Sequence, residues 1–188
     1  MARFTRSELE SFRDKPVEDL LGPDVRLLFV GINPGLWTAA TNTHFCHPTN
    51  RFYPALLRAG VIDWDLDSAV GMDDRQRAEF VGSGIGITNL VNRATTKASE
   101  LTVEELRAGA RRLHELSGEV QPKVVAMAGV TAYRDAFARP KAHLGKQADA
   151  VGNGELWLVP NPSGLNAHET VESLSDWYRQ VASAAGVV

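Results

Sequence analysis

The chain has 188 residues, enough for one domain with its own core. Hydrophobic residues make up 44% and charged residues 23%, an ordinary globular balance, and the apolar stretches fall far short of the roughly 20 residues that span a bilayer. The net charge of −3 gives no overall attraction to nucleic acid, so any DNA contact needs a local basic surface.

The N-terminus, Met1 to Arg6, lacks an apolar signal region, and a cytoplasmic location is expected. Ser7-x-x-Glu10 fits a capping box, so a short helical extension is expected over about 1–23. Val25-Arg26-Leu27-Leu28-Phe29-Val30 is a nearly continuous apolar run, the pattern of a strand buried on both faces. Residues 50–59 read as a helix, with Pro54 in the first turn and Gly60 beyond the last. The stretch from Asp63 to Asp74 is acidic and reads as a surface excursion or a short helix. Ile85 to Val91 is a further strand, weakened by Gly86.

Thr102-x-x-Glu105 is a second capping box, and Leu106, Ala110, Leu113 and Leu116 then recur at helical spacing, giving a helix near 103–117. Val124 to Gly129 is the third strand, and Val130 to Phe137 a helix that ends before Pro140. Leu156 to Val159 is the fourth strand. Val171, Leu174, Trp177, Tyr178 and Val181 define an amphipathic C-terminal helix, with a tail expected to fray beyond Ala184. A strand–helix order repeated four times implies a single α/β domain: a three-layer sandwich around a central four-stranded, mainly parallel sheet.

Two Asn-Pro loops follow strands: Gly31-Ile32-Asn33-Pro34-Gly35 after the first, and Pro160-Asn161-Pro162-Ser163-Gly164-Leu165-Asn166 after the fourth. Ligands of open α/β sheets bind outside the carboxyl ends of the strands, so both loops are candidates for one crevice. Cys46 is the only cysteine, which excludes an internal disulfide and a four-cysteine iron–sulfur site. The five histidines show no zinc spacing, and neither metal nor cofactor is expected. Arg134, Arg139, Lys141, His143 and Lys146 cluster within 13 residues, and Arg93 and Lys97 follow the second strand. Each cluster is by itself an ordinary solvated face.

Together, GINPG at 31–35, HFCHPTNRF at 44–52 and NPSGLNA at 161–167 resemble the uracil-DNA glycosylase superfamily, and most of all its mismatch-specific uracil/thymine-DNA glycosylase branch. The resemblance runs from roughly Val25 to Tyr178. It implies a monofunctional base-excision repair enzyme that flips uracil, or thymine or etheno-cytosine, out of mismatches with guanine. The enzyme would hydrolyse the N-glycosidic bond and leave an abasic site. The implied partner is double-stranded DNA carrying G·U or related mismatches. The implied setting is a bacterial cytoplasmic monomer acting at the nucleoid.

The resemblance also assigns residues. Asn33 would position the water that attacks the sugar C1′; an amide does not ionise usefully, so its carbonyl oxygen holds the water rather than deprotonating it. Ile32 and Phe45 would offer backbone N–H groups to the departing base anion, with the Phe45 ring as a stacking platform. Thr38, His47, Asn89 and Asn161 would complete the base pocket. Asn161 stands where faster branches carry histidine. Ser163, Gly164, Leu165 and Asn166 would enter the duplex, Leu165 as the wedge and Asn166 as a partner for the orphaned guanine. Ala167 stands where bacterial relatives often have arginine, and Asn92 where relatives often have a carboxylate. No lysine lies in these motifs, so no Schiff-base lyase step is implied. Two other readings stay open: a catalytically silent mismatch-binding module, or a nucleotide or glycoside hydrolase of similar fold.

Overall fold

The structure, a computed structural model, describes residues 4–188; the first residues of the expected N-terminal extension, 1–3, lie outside them. Among the described residues five strands form one sheet: β1 (Leu27–Gly31), β2 (Ile85–Asn89), β3 (Val124–Ala128), β4 (Gly145–Val151) and β5 (Gly154–Val159), in the order β2-β1-β3-β5-β4. β1, β2, β3 and β5 run parallel, and β4 pairs antiparallel with β5. Every residue of β1, β2 and β3 is buried, which is why β1 and β3 read as unbroken apolar runs, while β2 buries the polar Thr88 and Asn89 as well.

The expected four strands are therefore five. β4 has the sequence Gly-Lys-Gln-Ala-Asp-Ala-Val and buries only Val151, as suits an edge strand with one bulge. It carries no apolar run to be recognised. Its trace in the sequence is Gly152-Asn153 between two short segments, a two-residue hairpin loop with Gly152 at φ +59°.

Among the described residues seven α-helices accompany the sheet: α1 (Arg6–Glu10), α2 (Leu36–Thr41), α3 (Phe52–Ala59), α4 (Asp74–Gly82), α5 (Val103–Val120), α6 (Val130–Ala136) and α7 (Val171–Ala185). Side chains alternate across β1: Leu27 and Phe29 join Phe52, Leu56, Tyr178 and Val181 on one face, while Leu28 and Val30 join Leu113, Ala132 and Tyr133 on the other. The result is a three-layer sandwich, with α3, α4 and α7 on one face and α5 and α6 on the other. Phe29, Phe52 and Tyr178 meet edge-on, with ring centroids 5.0–5.4 Å apart.

The capping box of α1 is formed by Thr5 and Glu8, two residues before the pair expected, because Thr5 takes the extended backbone of an N-cap. Among the described residues the N-terminal extension is helical only over α1. Beyond it the chain runs extended along the outer edge of β2: Leu20 pairs antiparallel with Ile87, and the Val17 N–H donates to Asn92 Oδ1 at 3.0 Å. This covers an otherwise open sheet edge. α3 ends as expected on Gly60 in the left-handed region. α4 was hidden because it buries only Phe80; its start is marked by an Asp73–Gln76 capping box. Among the described residues no helix is long and apolar enough to cross a membrane.

Candidate active site

The carboxyl ends of the four parallel strands lie in register. Gly31 stands opposite Asn89, Val30 opposite Met127, and Ala128 opposite Val159. The loops that follow these strands and the segment from Thr43 to Arg51 meet at this end of the sheet, where the crevice is expected.

Asn33 is held by its nitrogen. Its Nδ2 donates to the Arg93 carbonyl at 2.9 Å and to Thr95 Oγ1 at 2.7 Å, with the Pro34 carbonyl at 3.2 Å. Thr95 is itself fixed: its hydroxyl donates to the Lys97 carbonyl and its N–H to the Pro34 carbonyl. Both amide hydrogens are thereby spent. The carboxamide oxygen accepts no hydrogen bond among the described residues and diverges from those acceptors, so it is the free end of the group.

Gly31 makes room for the next two residues. A Cβ there would stand 2.3 Å from Asn89 Oδ1 and 3.2 Å from Phe45 Cζ. The Asn89 carboxamide and the edge of the Phe45 ring thus meet above Gly31. Phe45 adopts φ +55°, a left-handed conformation that costs a bulky residue energy and that clusters at functional sites. Its ring stacks on Phe52 at 4.2 Å and 23°. Asn89 is only 4% exposed, and its Nδ2 lies 3.1 Å from His44 Nδ1. Thr88 faces elsewhere: its hydroxyl donates to Asp19 at 2.6 Å and accepts from Arg112 at 2.9 Å.

The remaining assigned residues lie on α2 and in the segment that follows it. Thr38 is buried on α2, and its carbonyl accepts from the Thr43 N–H, two residues before Phe45. Trp37 is spent on packing: its Nε1 donates to the Ser68 carbonyl at 2.7 Å and its ring meets His47 edge-on. His47 is exposed, and its Nδ1 accepts from the Thr49 N–H at 3.2 Å.

The loop after β5 is built rigidly. Asn161 Oδ1 accepts from the Ser163 N–H at 3.0 Å, and Asn166 Nδ2 donates to the Asn161 carbonyl at 3.0 Å. Leu165 at the tip is 86% exposed, far beyond the other large apolar residues of the surface. Asn166 is less free than its assigned role asks, since its Oδ1 also accepts from the His168 N–H. The missing Cβ of Gly164 points at Thr49, whose Oγ1 would be 2.3 Å and whose carbonyl oxygen 2.7 Å from it. The glycine therefore serves loop-to-loop packing.

Arg51 ties this loop to the Phe45 segment. Its N–H donates to the Pro162 carbonyl, and its guanidinium reaches the carbonyls of Asn166 at 3.0 Å, Ser163 at 3.4 Å and Gly164 at 3.5 Å. On the opposite side, Ile32 Cδ1 and Asn161 Cβ both lie within 4 Å of the point where a Gly129 Cβ would stand. All the assigned residues are thus brought to one end of the sheet. Sequence reasoning missed Thr95, Arg51 and the buried His44. Only the phrase HFCHPTNRF marked two of them, without their roles.

Asn92 lies outside this group. Its Oδ1 is engaged by the Val17 N–H, so it anchors the N-terminal segment. Arg93, read as a basic contact, is paired with Asp14 and Glu105. In the 134–146 cluster, Arg139 pairs with Asp149 and Lys146 with Glu155, while Arg134 donates to the Ala142 carbonyl. Gly145 pairs with Leu158 near the carboxyl end of β5, but the carboxylates that hold Arg139 and Lys146, Asp149 and Glu155, lie toward its other end. Two open concavities lie apart from the crevice. One, of about 310 Å³, lies between α6 and β4; the other, of about 490 Å³, lies between Gly60 and Ser83.

The family model of the uracil DNA glycosylase superfamily matches residues 18–184. The fold is similar to the solution NMR structure of a candidate uracil DNA glycosylase from Methanosarcina acetivorans, with a TM-score of 0.61 and 16% identity. The match covers 89% of this chain and 98% of that one.

Proposed function

Because this chain belongs to the uracil DNA glycosylase superfamily, we propose that it is a monofunctional, mismatch-specific uracil-DNA glycosylase acting as a monomer on double-stranded DNA. Uracil opposite guanine leaves the stack at a cost of a few kcal/mol, least at a mismatch, and enters the pocket against Phe45 and Asn89. Leu165, at the tip of a loop held by Arg51, fills the vacated space, and Ser163, Gly164 and Asn166 follow it toward the duplex. The C1′–N1 bond breaks with its electron pair passing to the base. The anion is met by the Ile32 and Phe45 backbone and by Asn161. A water on Asn33 Oδ1 bonds to C1′ and releases a proton to solvent. The product is free uracil and an abasic site.

The observation that carries this reading is the fixed polarity of Asn33: its nitrogen is consumed by Arg93, Thr95 and Pro34, leaving the oxygen to hold a water. A binding module would not need that arrangement, and a hydrolase of free nucleosides would not need Leu165 exposed. A panel of duplexes, each with a single G·U, A·U, G·T or G·etheno-cytosine pair, tests it under single-turnover conditions. Release of uracil fastest from G·U is expected. No base release from any of them would overturn the glycosylase reading, and equal release from G·U and A·U would remove mismatch specificity.

A further inference from the structure

His44 lies between two partners. It is 3% exposed, and its Nε2 is 2.8 Å from the Glu18 carbonyl oxygen. A carbonyl only accepts, so Nε2 carries the proton and Nδ1 a lone pair. Nδ1 is 3.1 Å from Asn89 Nδ2, and accepts from it. The Asn89 carboxamide is therefore turned one way: nitrogen toward His44, oxygen over Gly31 beside the Phe45 ring. We propose that His44, held as the Nε2–H tautomer by Glu18, is a positioning residue that fixes Asn89 so that the pocket accepts the imide edge of uracil and rejects cytosine. The inference rests on the glycosylase reading above.

The chemistry runs through donor and acceptor order. The free oxygen of Asn89 accepts from the N3–H of an imide, and its second N–H donates to the neighbouring carbonyl. Cytosine presents a lone pair at N3 and an amino group at C4, so the amide would have to turn over to pair with it. Turned over, Oδ1 would face the Nδ1 lone pair with no hydrogen between them. A buried polar atom left unpaired in this way is disfavoured by about 10- to 100-fold. Position 44 thus sets base choice without touching the base.

The surroundings keep the imidazole neutral. Asp19, on the N-terminal segment, favours the charged ring, and it is itself paired with Arg112 of α5. Arg77 of α4 opposes the charge, and the Tyr53 hydroxyl of α3 donates to the His44 carbonyl. Cys46 beside it donates its thiol to Ser68. Burial outweighs the Glu18 carbonyl and Asp19, which favour the charged ring, and lowers the His44 pKa from its ordinary value.

The test uses two duplexes with 2′-fluoro-2′-deoxyuridine or 2′-fluoro-2′-deoxycytidine opposite an abasic analogue. The fluorine blocks cleavage, and neither base has a partner to lose. The wild type should bind the uracil probe about 10- to 100-fold more tightly. His44→Gln supplies the same acceptor and donor without titrating, and should keep that gap. His44→Leu should narrow it by about 10-fold or more. Equal binding of both probes by the wild type, or an unchanged gap in folded His44→Leu, overturns the inference.

Should His44→Leu fail to fold, long-range ¹H–¹⁵N correlation of the wild-type imidazole decides instead. Nε2–H at neutral pH is expected, and Nδ1–H overturns the proposal. Uracil release from a G·U duplex by the wild type is measured beside these. Its absence overturns the glycosylase reading and this inference together. Its presence with an unchanged gap overturns the inference alone.

Discussion

At the scale of single residues, the crevice is shaped by atoms that are absent as much as by those present. Gly31 opens the GINPG motif with ordinary strand backbone, so its purpose is space. Gly31→Ala would drive a methyl to within 2.3 Å of Asn89 Oδ1, and the neighbours in this packed layer cannot all move. A loss of about 1–3 kcal/mol in stability is expected, with at least a tenfold fall in uracil release. Thermal melts beside single-turnover rates check both; an unchanged rate would place the base away from Asn89. His44 gives a second prediction. Burial lowers its folded pKa, while in the unfolded chain it titrates near the ordinary value of roughly 6.5. Below that value the unfolded state takes up the proton first. The contribution of a neutral His44 is therefore complete above roughly pH 6.5 and is lost as pH falls through the lowered folded value. Urea melts from pH 8 to pH 5 should show this slope in the wild type and a shallower one in His44→Gln; identical slopes would mean that His44 is not buried neutral.

At the scale of elements, two loops distant in sequence form one rigid piece. Arg51 reaches three carbonyls of the loop after β5, and Thr49 fills the space left by Gly164. Leu165 is then presented at the tip with little contact of its own. Leu165→Ala should leave stability within about 0.5 kcal/mol, as for other exposed sites. It should lower uracil release from G·U duplexes about tenfold more than from single strands, where no stack is refilled. Arg51→Ala should show the same asymmetry, because it loosens the same tip. Equal losses on duplex and single strand would reduce Leu165 to a loop residue. Little of this clamp was legible in the sequence. The loops announced themselves as Asn-Pro turns after apolar strands, but the carbonyls that Arg51 binds are backbone atoms with no sequence signature. The same holds for Thr95, whose link to Asn33 spans 62 positions.

At the scale of the whole molecule, the architecture was legible wherever burial was two-sided. β1 and β3 bury both faces and so left apolar runs, β5 buries Leu156, Leu158 and Val159 of its shorter run, and α5 and α7 left amphipathic repeats under their capping boxes. β4 and α4 lie at the periphery and bury one residue each, so nothing in their composition set them apart. The basic clusters were legible as letters but not as charges, since Arg93, Arg139 and Lys146 are paired with carboxylates. Such surface pairs are weak, and phosphates can compete for them. The fold as a whole aligns four strand ends and holds Asn33 there by its amide nitrogen. The most direct measurement compares uracil release from a G·U duplex by wild type and Asn33→Ala under single-turnover conditions, with duplex binding followed by anisotropy. A positioned water predicts a fall of roughly 10²-fold or more in rate with binding unchanged. An unchanged rate would contradict the role of Asn33, and with it the mechanism proposed for this crevice.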